Sequence, residues 1–285
     1  MPALPRDSRV PSGPPITYVR PARRWVALDL KDLWRHRRLM YLLAWRDVTI
    51  RYKRTILGGA WAVLQPFLTM VVFVIVFGRF GRFPSEGIPY PLFVYAALLP
   101  WQLFANALSR TASSTVGNAN LLTKVYFPRL LIPIAAALTG VIDFLAGLVV
   151  LIAMMAYYRV APGAGALHLV WIAPLAVAAA LAVGLWLAAL NVKYRDVGNA
   201  IPFLIQIWLY LTPVLYPSSL VPIRWRGLFG LNPMAATVEL FRWALLGLPH
   251  PPATVILTAA VAVALLLVGG LFFFRSMEYE FADVV

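Results

Sequence analysis

The side chains best suited to binding something lie in two uncharged, apolar stretches. In the first, Trp61, Gln65, Thr69, Phe73 and Phe77 stand four residues apart. At 3.6 residues per turn such a stripe drifts by about 40° per step and winds slowly round a helix. In the second, Gln206 and Tyr210 combine with Trp208, Thr212 and Tyr216. Aromatic rings cover the apolar C–H faces of sugars, while amides and hydroxyls satisfy sugar hydroxyl groups. The same residues also serve helix packing and the aromatic belts of a membrane protein, and both readings stay open. Asp143 is the one acidic residue inside an apolar stretch. A functional role and a structural hydrogen bond to a neighbouring helix are both open for it.

Other chemistry is missing from the chain. There is no G-x-x-x-x-G-K-[ST] loop to cradle nucleotide phosphates. The chain has no Cys, and His36, His168 and His250 lack metal-ligand spacing. A membrane glycosyltransferase needs a carboxylate base or a metal-binding acidic pair, and a proton-coupled carrier needs intramembrane carboxylates or histidines. These absences point to a conduit driven by another subunit.

Those stretches need elements to hold them, and composition says which. Of the 285 residues 61% are hydrophobic and 13% are charged. Soluble domains average about 45–50% and about 25%. The net charge of +14 is unevenly placed, since 13 of the 25 Lys and Arg precede Gly58. That pattern fits a basic membrane face rather than nucleic acid. A crossing helix needs about 20 apolar residues. The gaps between charges predict six spans, at about 58–78, 90–111, 131–157, 168–191, 200–217 and 253–274. Pro202, Pro213 and Pro217 interrupt the fifth. Pro222, Gly227, Gly230 and Pro233 break the stretch from Ser218 to Gly247, which reads as short re-entrant or interfacial helices.

With the N-terminus inside, the inner segments hold Lys124, Arg129, Lys193, Arg195, Arg275 and the whole N-terminal cluster. The outer ones hold Arg79, Arg82, Arg159, Arg224, Arg226 and Arg242. The asymmetry puts both termini in the cytoplasm. Residues 1–24 carry six prolines and read as a disordered basic tail, without the apolar core of a cleaved signal peptide. Within 25–57, Leu30, Leu33, Trp34, Tyr41, Trp45, Val48 and Tyr52 recur at helical spacing. This predicts an amphipathic helix, broken once, lying on the inner leaflet against membrane lipids. Between spans two and three, Asn118 or Asn120 can cap a short helix that Pro128 ends, a form suited to docking a cytoplasmic partner or to a plain connector. Asn191 to Val197 reads as a second docking point or a positive-inside anchor.

Several of these stretches resemble one family. They are Arg46 to Gly58, Trp61 to Pro66, Tyr90-Pro91-Leu92-Phe93 with Leu98-Leu99-Pro100-Trp101, and Thr123 to Arg129. Asn191 to Val197, Leu211 to Pro217 and Leu231-Asn232-Pro233-Met234 complete the set. In order and spacing they are similar to the transmembrane permease of ABC-2 type polysaccharide exporters, over about residues 29–285. The resemblance implies an all-α inner-membrane protein of six spans, forming a homodimer with two ATP-binding cassette subunits. This chain would then be no enzyme and hold no cofactor or metal, with ATP and Mg in the partner subunit. Arg46, Arg51, Tyr52, Asn118, Asn120, Lys124, Tyr126 and Phe127 fall on the parts that contact the ATPase. Spans one and five, with the two aromatic stripes, would line a channel between protomers. The substrate implied is an undecaprenyl-pyrophosphate-linked glycan such as O-antigen or capsule. Teichoic acid, a lipid or a drug is the alternative cargo. An integral-membrane enzyme acting on polyprenyl-linked sugars is the rival of another class, with Asp143 alone as its acidic group.

Overall fold

The computed structural model describes residues 30–53, 58–124, 127–222, 225, 229–278 and 281. The tail of residues 1–24 therefore lies outside the described residues. Among these residues all regular structure is helical. Two short helices come first, α1 (Leu30–Arg35) and α2 (Arg37–Lys53), separated at His36. Next are α3 (Ala60–Phe73), continued by a π-helical segment Val74–Phe80, then α4 (Tyr90–Gly117) and the short α5 (Ala119–Lys124). α6 (Leu131–Leu138) and α7 (Gly140–Tyr157) follow, broken only at Thr139, and then α8 (Leu169–Lys193) and α9 (Asp196–Leu211). The chain ends in α10 (Pro233–Leu246) and α11 (Ala253–Met277).

Five helical stretches are long and apolar enough to cross a membrane: Ala60–Phe80, Tyr90–Gly117, Leu131–Tyr157, Ala166–Lys193 and Ala253–Met277. They match five of the six predicted spans. The predicted fifth, 200–217, differs. Its helix α9 has 16 residues and stops at Leu211. That is about 24 Å of helix, short of a hydrocarbon core of about 30 Å. Pro213 explains the stop, since proline drives the residue before it out of the helical region. Thr212 is accordingly extended, at ψ 141°.

α4 is the axis of the bundle. From Leu92 to Leu99 every side chain is essentially buried. It packs on α8 most extensively, and also on α3, α6, α7, α9 and α10. Small residues allow the close approach, as in other membrane bundles. A Cβ at Gly184 of α8 would sit 2.6 Å from Thr111 Cγ2 of α4. At the start of α4, the Tyr90 ring lies so close to Gly78 that a Cβ there would be 2.6 Å away. The exposed faces are equally apolar. Leu257, Leu265 and Val268 of α11, and Leu68 and Val72 of α3, are among many bare hydrophobic side chains. Such faces suit lipid or a second apolar surface, not water.

Between α9 and α11 the described residues include the helix α10, within the stretch where short helices were expected. Asn232 caps α10 by accepting a hydrogen bond from Met234 N at 3.0 Å, with Pro233 in the first helical position. Gly247 ends the helix at φ 68° in the left-handed region that glycine enters freely. Most of α10 is buried, with Met234, Val238, Leu240 and Phe241 fully enclosed.

Candidate functional site

At one end of the bundle, α2 and α5 meet. Asn118 terminates α4, and its Nδ2 donates back to Ser114 O at 2.9 Å. Its Oδ1 accepts from Arg46 Nη2 at 2.7 Å, while that guanidinium also pairs with Asp47 Oδ1 at 2.7 Å. The N-terminal helix and the loop after α4, separate in sequence, thus form one surface. Asn120 and Lys124, four apart, are exposed on α5. Leu121 and Leu122 face inward to a small core of Phe127, Leu131 and Ile132 with Leu39 and Met40.

Three of the expected contact residues sit otherwise than exposure on a loop would require. Phe127 is 7% exposed and packs within the chain. Its ring closes the α5 turn onto α2 and α6, because an apolar ring gains more from that core than from water. Arg51 and Tyr52 turn inward, and both donate to Asp143 in the first turn of α7. Tyr126 lies outside the described residues. The predicted apolar face of the N-terminal helix divides in two. Val48 is buried against the bundle, while Trp34, Tyr41 and Trp45 are exposed, with Tyr41 and Trp45 stacked at 6.4 Å.

The two aromatic stripes are also divided. On α3, Trp61 and Gln65 are exposed and Thr69 is half-buried, its hydroxyl donating to Gln65 O at 2.9 Å. Phe73 meets Phe77 edge-on at 5.9 Å. On α9, Gln206 and Tyr210 are exposed. Trp208 and Thr212 turn into the bundle instead. Trp208 Nε1 donates to Asn232 Oδ1 at 2.9 Å, and its ring meets Phe104 edge-on at 4.9 Å. Asn232 Nδ2 in turn donates to Thr212 Oγ1 at 3.0 Å, and Thr212 is fully buried. Tyr216 is half-buried and donates to Tyr210 O at 3.2 Å. α3 and α9 both lean on α4, α3 also on α7 and α9 also on α8.

Sequence reasoning passed over Arg242, counting it only as an outer charge. It is 3% exposed on α10. Nε donates to Phe93 O at 3.2 Å, Nη1 to Pro213 O at 2.7 Å and Nη2 to Val214 O at 2.7 Å. The guanidinium lies 3.5 Å from the Phe93 ring centroid. Burial pulls its pKa down to about 9, against the opposing pull of Glu239 and Glu86, so it stays charged at neutral pH. One side chain therefore ties α10, the start of α4 and the turn after α9. The signal in the sequence was an Arg, three residues after Glu239, in the otherwise uncharged run of residues 233–248. Beside it lies a cavity of about 250 Å³ lined by Glu86, Ser218, Glu239 and His250 among others. His168 and His250, remote in sequence, pack against Trp243 at 5.1 and 4.7 Å.

The structure is thus a bundle of apolar helices, five of its stretches long and apolar enough to cross a membrane. Residues 38–246 match the ABC-2 type transporter family, and the chain belongs to it. It is 29% identical over 259 residues to the O-antigen export system permease protein RfbA of Myxococcus xanthus, covering 90% of this chain and 98% of that one. A Klebsiella pneumoniae protein of the same name is 27% identical over 255 residues, 87% of this chain and 95% of its own. The polysialic acid transport protein KpsM of Escherichia coli is 23% identical over 205 residues, 70% and 78% of the two chains. As a member of this family the chain is a multi-pass membrane subunit that associates with ATP-binding subunits.

Proposed function

We propose that this chain is the permease of an ABC exporter that carries a lipid-linked polysaccharide out across the inner membrane. The observation that carries the reading is the near full-length similarity to permeases named for O-antigen export. The cargo proposed is an undecaprenyl-pyrophosphate-linked glycan of the O-antigen or capsule kind. Two copies of the chain assemble with two ATPase subunits, which supply ATP and Mg chemistry. Both termini are cytoplasmic, and α9 with the turn after it makes the sixth crossing.

Four exposed residues support a glycan path on the α3 and α9 faces: Trp61, Gln65, Gln206 and Tyr210. They pair ring with amide on each helix, which suits sugar faces and hydroxyls. In this reading α2 lies in the inner interface. Trp34, Tyr41 and Trp45 enter the headgroup region, where such rings are at ease. The ATPase docks on the joined α2–α5 surface, with Arg46, Asn118, Asn120 and Lys124 at its centre.

The test is a strain lacking the chain. Lipid-linked glycan should accumulate on the cytoplasmic side and disappear from the surface, and the intact chain should restore it. Unchanged surface glycan would discard the reading.

A further inference from the structure

We infer that Asp143 is a positioning residue for transport: it passes movement of α2 directly into the membrane helices. The inference rests on the reading of α2 as an ATPase contact. Asp143 is 8% exposed, in the first turn of the otherwise uncharged α7. A carboxylate there is costly unless charge and hydrogen bonds compensate it. Both compensations come from the last turn of α2. Arg51 Nη1 donates to Oδ2 and the Tyr52 hydroxyl donates to Oδ1. Adjacent residues on a helix point about 100° apart. For both to reach one carboxylate, α2 must sit in one rotational setting.

What surrounds the pair makes it a junction. Gln65 of α3 and Gln102 and Asn106 of α4 line a cavity of about 10 Å³ against Asp143, room for about one water. Alongside, Arg110 Nη1 of α4 donates to Thr139 Oγ1 at 3.0 Å, at the break between α6 and α7. Three membrane stretches, α3, α4 and α6–α7, therefore converge where α2 ends.

The covalent route from α2 into α3 includes two successive glycines. It passes through Gly58, at φ 48°, and Gly59. Two successive glycines absorb a displacement by changing φ and ψ at little cost. The Arg51–Asp143–Tyr52 clip bypasses them and delivers the movement to α7 and, through the Gln65 pocket, to α3. A buried ion pair adds little net stability beside an apolar replacement, but fixes geometry.

The experiment compares Asp143→Asn, Asp143→Glu and Tyr52→Phe in the assembled transporter. Three quantities are read: ATPase recovered with the permease, ATP hydrolysed per complex and glycan exported per complex. Asp143→Asn keeps the shape and loses the charge, so export per complex should fall by about tenfold while partner and hydrolysis are retained. Tyr52→Phe removes one hydrogen bond and should cost about two- to threefold. Asp143→Glu should recover export above the Asn variant. Full export per complex by Asp143→Asn would overturn the inference. So would losses of export and hydrolysis that merely follow loss of complex. If Asp143→Asn does not fold, Tyr52→Phe decides by the same ratio. A photo-cross-linking amino acid at Arg38, exposed on α2, reads the docking separately. No cross-link to the ATPase in the intact chain would sink the α2 contact, whatever the variants do.

Discussion

Arg46 and Asn118 are joined across 72 positions of sequence by a 2.7 Å hydrogen bond from Nη2 to Oδ1. The bond makes α2 and the head of α5 one platform at one end of α4. At the other end, Arg242 grips Phe93 O. From residue 93 to residue 118 is about 37 Å of helix, so α4 is the strut between a docking platform and a clamp.

The platform should weaken when its exposed charge is reversed. Lys124→Glu with Asn118→Ala should reduce recovery of the ATPase subunit by about threefold to tenfold, since rim charges and one charge-assisted hydrogen bond are lost. A detergent pull-down measures it. Recovery equal to the unsubstituted permease would move the docking site elsewhere.

The clamp should be a matter of stability. Arg242→Ala takes their donor from the buried Pro213 and Val214 carbonyls and its second donor from Phe93 O, and should cost about 3–5 kcal/mol. Arg242→Lys should not rescue it, because a compact ammonium cannot reach the carbonyls that a planar fork reaches. Thermal unfolding in detergent reads both. A lysine variant as stable as the unsubstituted chain would refute the geometric account.

Position predicts different fates for two tryptophans. Trp61 is 49% exposed, so Trp61→Ala, with Tyr210→Ala, should reduce glycan export and leave thermal stability nearly unchanged. Trp208 is bonded to Asn232 and packed on Phe104. Trp208→Ala should cost about 3–5 kcal/mol of stability, and Trp208→Phe about 1 kcal/mol for the lost hydrogen bond. Export that survives loss of both Trp61 and Tyr210 would remove the α3 and α9 faces from the path.

Orientation is open to a direct measurement. A reporter active only in the cytoplasm should report when fused after Val285 and stay silent when placed at Gly87, in the loop between α3 and α4. The opposite pattern would invert the protein in the membrane.

Composition and the spacing of charges determined where the long helices lie. Hydrocarbon admits few charges, so the gaps between Lys and Arg mark the crossings to within a few residues. Pro202, Pro213 and Pro217 marked the fifth stretch as interrupted, but the end of its helix at Leu211 and the cap at Asn232 came only from the structure. The direction in which each side chain points was decided only by tertiary structure. Trp61 and Trp208 read alike in the sequence, but one ends exposed and the other bonded to a residue 24 positions away. Phe127 looked like a ring on a loop until the fold placed α2 and α6 over it. Asp143 had no visible partner, because Arg51 and Tyr52 lie more than 90 residues upstream. In an apolar chain every helix face is hydrophobic, so periodicity cannot say which face meets protein and which meets lipid. That choice falls to the close approach of α4 and α8 at Gly184, and to the few buried polar groups that need partners.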